Sequence, residues 1–355
     1  MNRIIATSLV SALLSLSALA PRPAPATVLV TMAWRPVGNP GNAADSTGYG
    51  AVAYSYNIGT YDVTNSQYVA FLNSNDWTGA DPLALYNTGM SIAGYGGINY
   101  ISNAAFGSKY GVISGDGNNP VNYVTWFDAV RFANWMDNGQ PVFSTEPTAT
   151  NNATETGAYT LSGFTPTPSN ANSITRNAGA SIFLPSENEW YKAAYYNFAG
   201  GSYFEYPTSS NTAPNATGPT ATPNSANYDD VVNTVTNVGA YSGTTSPYGA
   251  ADMGGDVFQW NDTAIPVTGE TFRGLRGGSF SQSAIGLKSS VRNDADPTPE
   301  ENDFGFRLAS VPGVPEPSTG VLAVLACGAA LWWRKRSPIS SRHGRVRTNR
   351  GTDTP

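Results

Sequence analysis

Three stretches of the chain place a polar cap ahead of an apolar stripe at helical spacing. Thr64-Asn65-Ser66-Gln67 is a capping box followed by Tyr68, Phe71 and Leu72 on one face. Thr125-Trp126-Phe127-Asp128 is a looser version ahead of Ala129, Val130, Ala133 and Met136, with Gly139 as a stop. Ser186-Glu187-Asn188-Glu189 precedes Trp190, Ala193 and Ala194. In each, the cap oxygen meets the orphan N–H groups of a first turn while the stripe turns toward a core. Strands are short: residues 52–63 alternate imperfectly, with Tyr54, Tyr56 and Ile58 on one side, and 257–260, 274–280 and 304–308 read as further strands. Long polar stretches at 81–119, 140–173 and 207–245 exceed ordinary connections. They are functional, ordered by ions through Asn, Asp and carbonyl oxygens, or plain surface decoration. The pattern predicts an α+β, loop-rich fold with about three helices and short antiparallel strands.

The two ends read as addresses. Residues 1–26 carry Arg3, an apolar run and Ala24-Pro25-Ala26, the layout of a secretory signal cleaved after Ala26; an uncleaved anchor is the alternative. Near the other end, Pro315-Glu316-Pro317 precedes an apolar run, residues 319–333, and then Arg334-Lys335-Arg336. That run is slightly short of the ~20 residues that cross a bilayer comfortably. Trp332 and Trp333 suit an interface, and the basic residues should stay cytoplasmic. The expected division is 1–26 signal, 27–312 main domain, 313–336 sorting segment with its span, and 337–355 basic tail.

Composition narrows the chemistry. In 355 residues only 12% are charged, and hydrophobic residues reach 40%, so the chain is not a disordered polymer. Residues 27–333 hold 10 Lys+Arg against 24 Asp+Glu, a net of −14, which argues against phosphate-backbone binding and so against a nucleic-acid partner. The single Cys, Cys327, lies in the apolar run, which excludes a disulfide framework and a Cys-based zinc or iron–sulfur site. The single His, His343, lies in the tail and argues against His-ligated metal catalysis and a Ser-His-Asp triad. Asp294 with Asp296 and Glu300 with Glu301 are carboxylate pairs, available for acid–base work or simply solvated. Trp126, Trp135, Trp190 and Trp260 are candidate core anchors, and Arg276, Arg292 and Arg307 are candidates to pair with buried carboxylates.

Six segments in order carry a family resemblance: 59–68 (G-T-Y-D-V-T-N-S-Q-Y), 120–129 (P-V-N-Y-V-T-W-F-D-A), 184–190 (L-P-S-E-N-E-W), 248–260 (Y-G-A-A-D-M-G-G-D-V-F-Q-W), 275–280 (L-R-G-G-S-F) and 302–308 (N-D-F-G-F-R-L). Together they resemble the sulfatase-modifying factor, or formylglycine-generating enzyme, family. The Pro315-Glu316-Pro317 end resembles a PEP-CTERM sorting signal. The first resemblance implies a loop-rich variant of the C-type lectin fold, and Gly277-Gly278 implies a backbone needing positive φ or close approach. The second implies exosortase-type processing, transient residence in the inner membrane, and a final place at the cell surface or in the matrix.

The family's enzymes oxidise a protein Cys to formylglycine with two active-site thiolates that bind copper(I), because soft sulfur holds that ion and hard oxygen does not. The resemblance puts Ser279 at the family's active-site serine, Gln282 at the first thiol position and Leu287 near the second. Other branches use iron held by three His, for which this sequence offers no counterpart. Copper is therefore not expected. Calcium is the cofactor still implied, with Asn227, Asp229 and Asp256 as candidate ligands or as ordinary turn residues. The expected function is an exported binding or structural module without formylglycine-generating oxidase activity, meeting an extracellular polysaccharide or protein ligand. The alternative is an active enzyme of the family working with non-standard residues.

Overall fold

The computed structural model describes residues 29–313. The expected signal segment, Pro315-Glu316-Pro317, the apolar run with Cys327, Arg334-Lys335-Arg336 and the tail with His343 lie outside them. No helix among the described residues is long and apolar enough to cross a membrane.

In chain order the elements are β1 (Trp34–Val37), β2 (Tyr56–Gly59), α1 (Asn65–Asn75), β3 (Ile98–Tyr100), β4 (Tyr110–Val112), α2 (Trp126–Asp137), β5 (Ile182–Phe183) and α3 (Glu187–Tyr195). There follow β6 (Tyr196–Asn197), β7 (Ser202–Tyr203), β8 (Asn215–Ala216), β9 (Ser225–Ala226), β10 (Phe258–Val267), β11 (Glu270–Arg276), β12 (Asn293–Ala295), β13 (Phe304–Phe306) and β14 (Ala309–Ser310). The result is α+β and rich in coil. One four-stranded sheet runs β1-β2-β14-β5, so the last strand is inserted beside the first two and closes the domain. The other runs β12-β11-β10-β13, around the β10–β11 hairpin.

All three helices begin where the caps predict. Thr64, Thr125 and Ser186 are the N-caps, and each forms the full reciprocal box with the residue at the third helical position. The expected one-sided stripe of α2 is an underestimate. Trp126 to Met136 are buried on every side, and the polar members Asp128, Arg131 and Asn134 are all hydrogen-bonded. Phe132 sits among Tyr68, Phe71, Trp135 and Phe306, with ring centroids 5.4–6.1 Å apart, so α2 is the post around which α1 and β13 pack.

The strands depart from the sequence reading in three places. Only Tyr56–Gly59 of 52–63 is strand: Tyr54 is 51% exposed while Tyr56 and Ile58 are buried, and the Tyr54 hydroxyl reaches out to Glu189 instead. The 257–260 strand continues to Val267, because a register shift between Trp260 and Ala264 absorbs Asn261-Asp262 as a bulge. The 274–280 strand stops at Arg276, because Gly277 (φ +97°) and Gly278 (φ +71°) turn the chain away.

Large buried groups do the work that sheet does elsewhere. The four expected tryptophans are all buried, and every indole N–H has an acceptor: Trp126 on Asn261 O (2.9 Å), Trp135 on Pro141 O (3.1 Å), Trp190 on Gln259 Oε1 (2.6 Å) and Trp260 on Val124 O (3.0 Å). Arg131, Arg273, Arg276 and Arg307 are buried as well. Arg307 donates to the carbonyls of Gly59 (2.9 Å), Ala251 (3.0 Å) and Asp252 (3.0 Å), to Gln259 Oε1 (2.6 Å), and pairs with Asp62 (3.0 Å). Arg276 and Arg292 share Glu187, as the sequence suggested for cations among many acids. Among the described residues Arg273 has no carboxylate within ion-pair distance. It stacks on Trp126 at 3.8 Å and bonds three carbonyls, and burial lowers its pKa to about 10.

Removing the Arg307 head group strands Asp62 and three carbonyls in a dry interior. Arg307→Met is expected to cost at least about 3 kcal/mol in urea unfolding; a loss below about 1 kcal/mol would show that the guanidinium is not what ties β2, β13 and the 251–252 turn together.

Candidate functional site

The residues singled out in the sequence converge on one corner. After β11, Gly277 and Gly278 reverse the chain into Ser279, and a short 3-10 turn, Ala284–Leu287, closes it. A Cβ on Gly278 would lie 2.9 Å from Leu287 Cδ1 and 3.1 Å from the Gly286 backbone, so the position needs glycine for space as well as for φ. The 277–287 segment is sewn by backbone bonds to 227–230 and 254–256: Asp229 N–H to Gln282 O (2.7 Å), Asp230 N–H to Phe280 O (2.9 Å), Phe280 N–H to Asp256 O (2.9 Å) and Gly255 N–H to Gly277 O (3.0 Å). Thus the Ser279-Gln282-Leu287 set and the Asn227-Asp229-Asp256 set are neighbours.

Ser279 is fully buried, and its hydroxyl donates to Asp303 Oδ2 at 2.7 Å, with Ser281 Oγ 3.2 Å away. Gln282 is half-buried, and its backbone bonds fix it between Ser279 O and the Asp229 amide. Leu287 has no exposed surface and packs with Tyr206, Ala226 and Tyr228 in a satellite core, while its carbonyl accepts from the Tyr195 hydroxyl (3.0 Å). A carboxamide stands at the first position that the resemblance assigns to a thiolate, and a hydrocarbon stands near the second. The residues do not fit copper(I), and no step is routed through it.

Asn227 and Asp256 meet, but as a hydrogen-bonded pair. Asn227 Nδ2 donates to Asp256 Oδ1 (2.8 Å) and to Thr234 O (2.7 Å). Asp256 also accepts from the Thr236 amide (2.8 Å) and hydroxyl (3.0 Å to each oxygen). Asp229 keeps its side chain at the surface. The Asn227 amide N–H points at Asp256 while its own Oδ1 is buried without a partner, and Asp229 lies at the surface, so the three do not come together as a calcium ligand set. Among the described residues no group of three or more His, Cys, Asp or Glu is placed to hold a metal ion. The adjacent void, lined by Ser225, Tyr241, Thr244, Asp252 and Met253, is about 10 Å³, room for one water, and the Ser225 hydroxyl beside it has no protein partner.

Two functional neighbours were not read from the sequence. Asp303, on Ser279, stands inside the quoted 302–308 segment and was given no role; Thr236, on Asp256, lies in a polar stretch with no motif to mark it. Electrostatics link this corner to Arg307. Asp62 is pushed up to about 8 by burial, with Arg307 opposing and Asp252 and Asp256 adding repulsion. Asp256 is pushed up to about 7 by burial and then by Asp252, against its hydrogen bonds from Asn227 and Thr236.

Comparison with known proteins gives the family and the fold. Residues 18–311 match the sulfatase-modifying factor enzyme 1-like domain, and the chain belongs to that family. Hercynine oxygenase of Mycobacterium tuberculosis is 32% identical over 152 residues, 37% of this chain and 33% of that protein, so the match spans a third of the relative's length. The crystal structure of CarF superposes with a TM-score of 0.55 at 19% identity, covering 80% of this chain and 99% of CarF. Treponema denticola variable protein 1 gives 0.49 at 20% identity, over 79% and 95%. The likeness to CarF shows the fold, the formylglycine-generating type of C-type-lectin-like α+β architecture expected from the motifs.

The buried acids set a pH profile. A carboxyl whose folded pKa exceeds its unfolded value of about 3.9 stabilises fully below that value and loses the contribution as pH rises through the folded one. For Asp62 and Asp256 the loss falls between about pH 4 and 8. Glu189, lowered overall by its hydrogen bonds and ion pair with Arg176 against the opposing effect of burial, works the other way and protects the acid side less as pH falls. Urea melts are expected to show stability falling from about pH 5 to 8, with a flatter slope in Asp62→Asn; a profile that rises over this window contradicts the assignment.

Proposed function

We propose that the chain is an exported, surface-sorted member of its family that acts as an extracellular binding or structural module and does not oxidise a protein cysteine to formylglycine. The observation that carries this reading is Leu287, a fully buried hydrocarbon packed against Tyr206, Ala226 and Tyr228 near the position where the resemblance calls for the second copper ligand. Gln282 at the other ligand position supports it. The oxidation needs a soft ligand pair, and no arrangement of a carboxamide and an isobutyl group supplies one.

Export rests on the sequence of the two ends. Residues 1–26 and the Pro315-Glu316-Pro317, apolar and Arg334-Lys335-Arg336 series support handling by exosortase-type machinery, a transient hold in the inner membrane, and release to the cell surface or matrix. The acidic balance of residues 27–333 supports a polysaccharide or protein ligand over a nucleic acid. A fold of this kind carries binding sites on its loops, though the fold alone does not choose a ligand. Calcium is not placed at Asn227, Asp229 and Asp256 in this reading, because Asp256 is hydrogen-bonded and Asp229 is at the surface, which leaves Asn227 Oδ1 as the one buried free oxygen of the three.

The alternative, an active enzyme of the family with non-standard residues, draws on the Ser279 hydroxyl held by Asp303 and on the partial likeness to an oxygenase. The two separate in one assay. Purified chain, copper(I), oxygen and a Cys-containing sulfatase peptide are expected to yield no aldehyde by mass spectrometry. Aldehyde formed by the wild-type chain and abolished in Ser279→Ala would establish the enzyme instead.

A further inference from the structure

We infer that the surface built by Trp77 and the β3–β4 hairpin binds a neutral polysaccharide strand, whose sugar rings stack on Trp77, Phe106 and Tyr100. The assignment rests on the binding-module reading and narrows its ligand. Residues 82–115 hold no acid and a single cation, Lys109, although residues 27–333 carry 10 Lys+Arg against 24 Asp+Glu. The same stretch exposes Phe106 (56%), Tyr100 (41%) and Ile101 (40%), and Phe106 is the most exposed aromatic side chain among the described residues. Exposed rings grouped on one face, unlike scattered single ones, mark an interaction surface.

The rings are contiguous and fixed. Trp77 and Phe106 lie 5.0 Å apart between centroids, tilted by 41°. The Lys109 ammonium sits 5.2 Å from the Phe106 centroid and donates to Ser102 O at 2.7 Å. The Lys109 stem and the Tyr100 ring flank Gly79, where a Cβ would lie 3.2 Å from Lys109 Cγ and 2.7 Å from Tyr100 Cε2. Tyr100 packs in turn on Tyr86 and Tyr110, with centroids 6.3 and 5.6 Å away. Gly107 seats Trp77 as Gly79 seats Tyr100. Its N–H donates to Trp77 O at 2.7 Å, and a Cβ there would lie 2.7 Å from Trp77 Nε1. Both rings rest on bare backbone, so they are held in place before any ligand arrives.

The polar groups at the rings select the ligand. The four core tryptophans each give the indole N–H to a protein acceptor, whereas that of Trp77 has none among the described residues and stays open to solvent. Asn103 and Ser108, on the loop that carries Phe106, are exposed, and their side chains make no hydrogen bond among the described residues. The surface therefore offers π-faces edged by neutral donors and acceptors. A pyranose is the match. Its axial C–H bonds form an apolar face of slight positive charge, which the negative face of an aromatic ring attracts, and hydroxyls line its edge. Charged partners find little here. Lys109 is 6% exposed and already engaged, and the acids beside the rings, Asp76 and Glu146, are turned to Tyr110 and Thr78. An anionic lipid surface calls for a basic cluster around the rings, and residues 82–115 supply only Lys109.

The test is native affinity electrophoresis of the full chain in gels containing hydroxyethyl cellulose, mixed-linkage β-glucan, galactomannan or dextran. Alginate serves as the charged comparison, and sedimentation with phosphatidylcholine vesicles as the lipid one. Retardation by at least one neutral polymer is expected, with none by alginate and no sedimentation with vesicles. Phe106→Ala and Trp77→Ala should each weaken it at least about tenfold, the scale of one lost stacking contact. Phe106→Tyr should retain it. Phe106→Ala should leave the thermal melt unchanged, because more than half of that side chain is already in water. Phe198→Ala removes an exposed ring that packs on Tyr248 and should change nothing. Absence of retardation by all four neutral polymers, equal retardation by alginate, binding to vesicles in place of polymer, or an equal loss in Phe198→Ala overturns the assignment. Retardation unchanged in Phe106→Ala and Trp77→Ala overturns this surface and leaves the binding-module reading standing, whereas an aldehyde in the peptide assay overturns that reading whatever the gels show.

Discussion

Buried guanidinium groups hold this protein together. Its strands are mostly two to four residues long, too short for ladders to order the coil between them. Arg131, Arg273, Arg276 and Arg307 take over that role, because each planar fork can satisfy several loop carbonyls at once. Arg131 fastens the 152–167 region to α2, Arg273 fastens 171–174 to β11, Arg276 draws the 289–291 segment onto α3, and Arg307 joins β2 to the 251–252 turn. The constraint that follows is electrostatic. With few cations available, each buried one must be shared among carbonyls and acids, and several buried acids are left with raised pKa values.

The corner around Ser279 is a product of that framework. Arg276 anchors the end of β11, and two glycines then swing Ser279 beneath Asp303. The 227–230 and 254–256 segments clamp it from the other side through backbone bonds. Packing therefore completes a corner where the resemblance had implied sulfur and metal. Leu287 contributes hydrophobic burial, and Asp256 is satisfied by Asn227 and Thr236. Ser279, Asp256 and the Asn227 amide N–H find protein partners in this corner, while the Ser225 hydroxyl and Asn227 Oδ1 are buried with none among the described residues.

Much of this was legible in the sequence, for identifiable reasons. Capping boxes are local, so Thr64, Thr125 and Ser186 marked three helix starts correctly. Tryptophans and arginines are few and large, so their burial and pairing followed from composition. The strands were less legible. Asn261-Asp262 looks like a turn and is a bulge inside a ten-residue strand, a feature fixed by pairing with distant β11. The site was half legible: Ser279, Gln282 and Leu287 came from motif positions, but Asp303 and Thr236 act through contacts that no local pattern encodes. The choice between ligand and turn roles for Asn227 and Asp256 needed the direction of one amide group. The expected sorting segment and signal lie outside the described residues and are read from the sequence alone.

The central claim is that the family's copper position is closed by packing. Anaerobic titration of the purified chain with copper(I), in competition with a chromophoric chelator, measures it directly. The account predicts that the chelator keeps all of its copper, with no difference between the wild-type chain and Gln282→Ala. Stoichiometric withdrawal of copper by the wild-type chain, lost in Gln282→Ala, would contradict it.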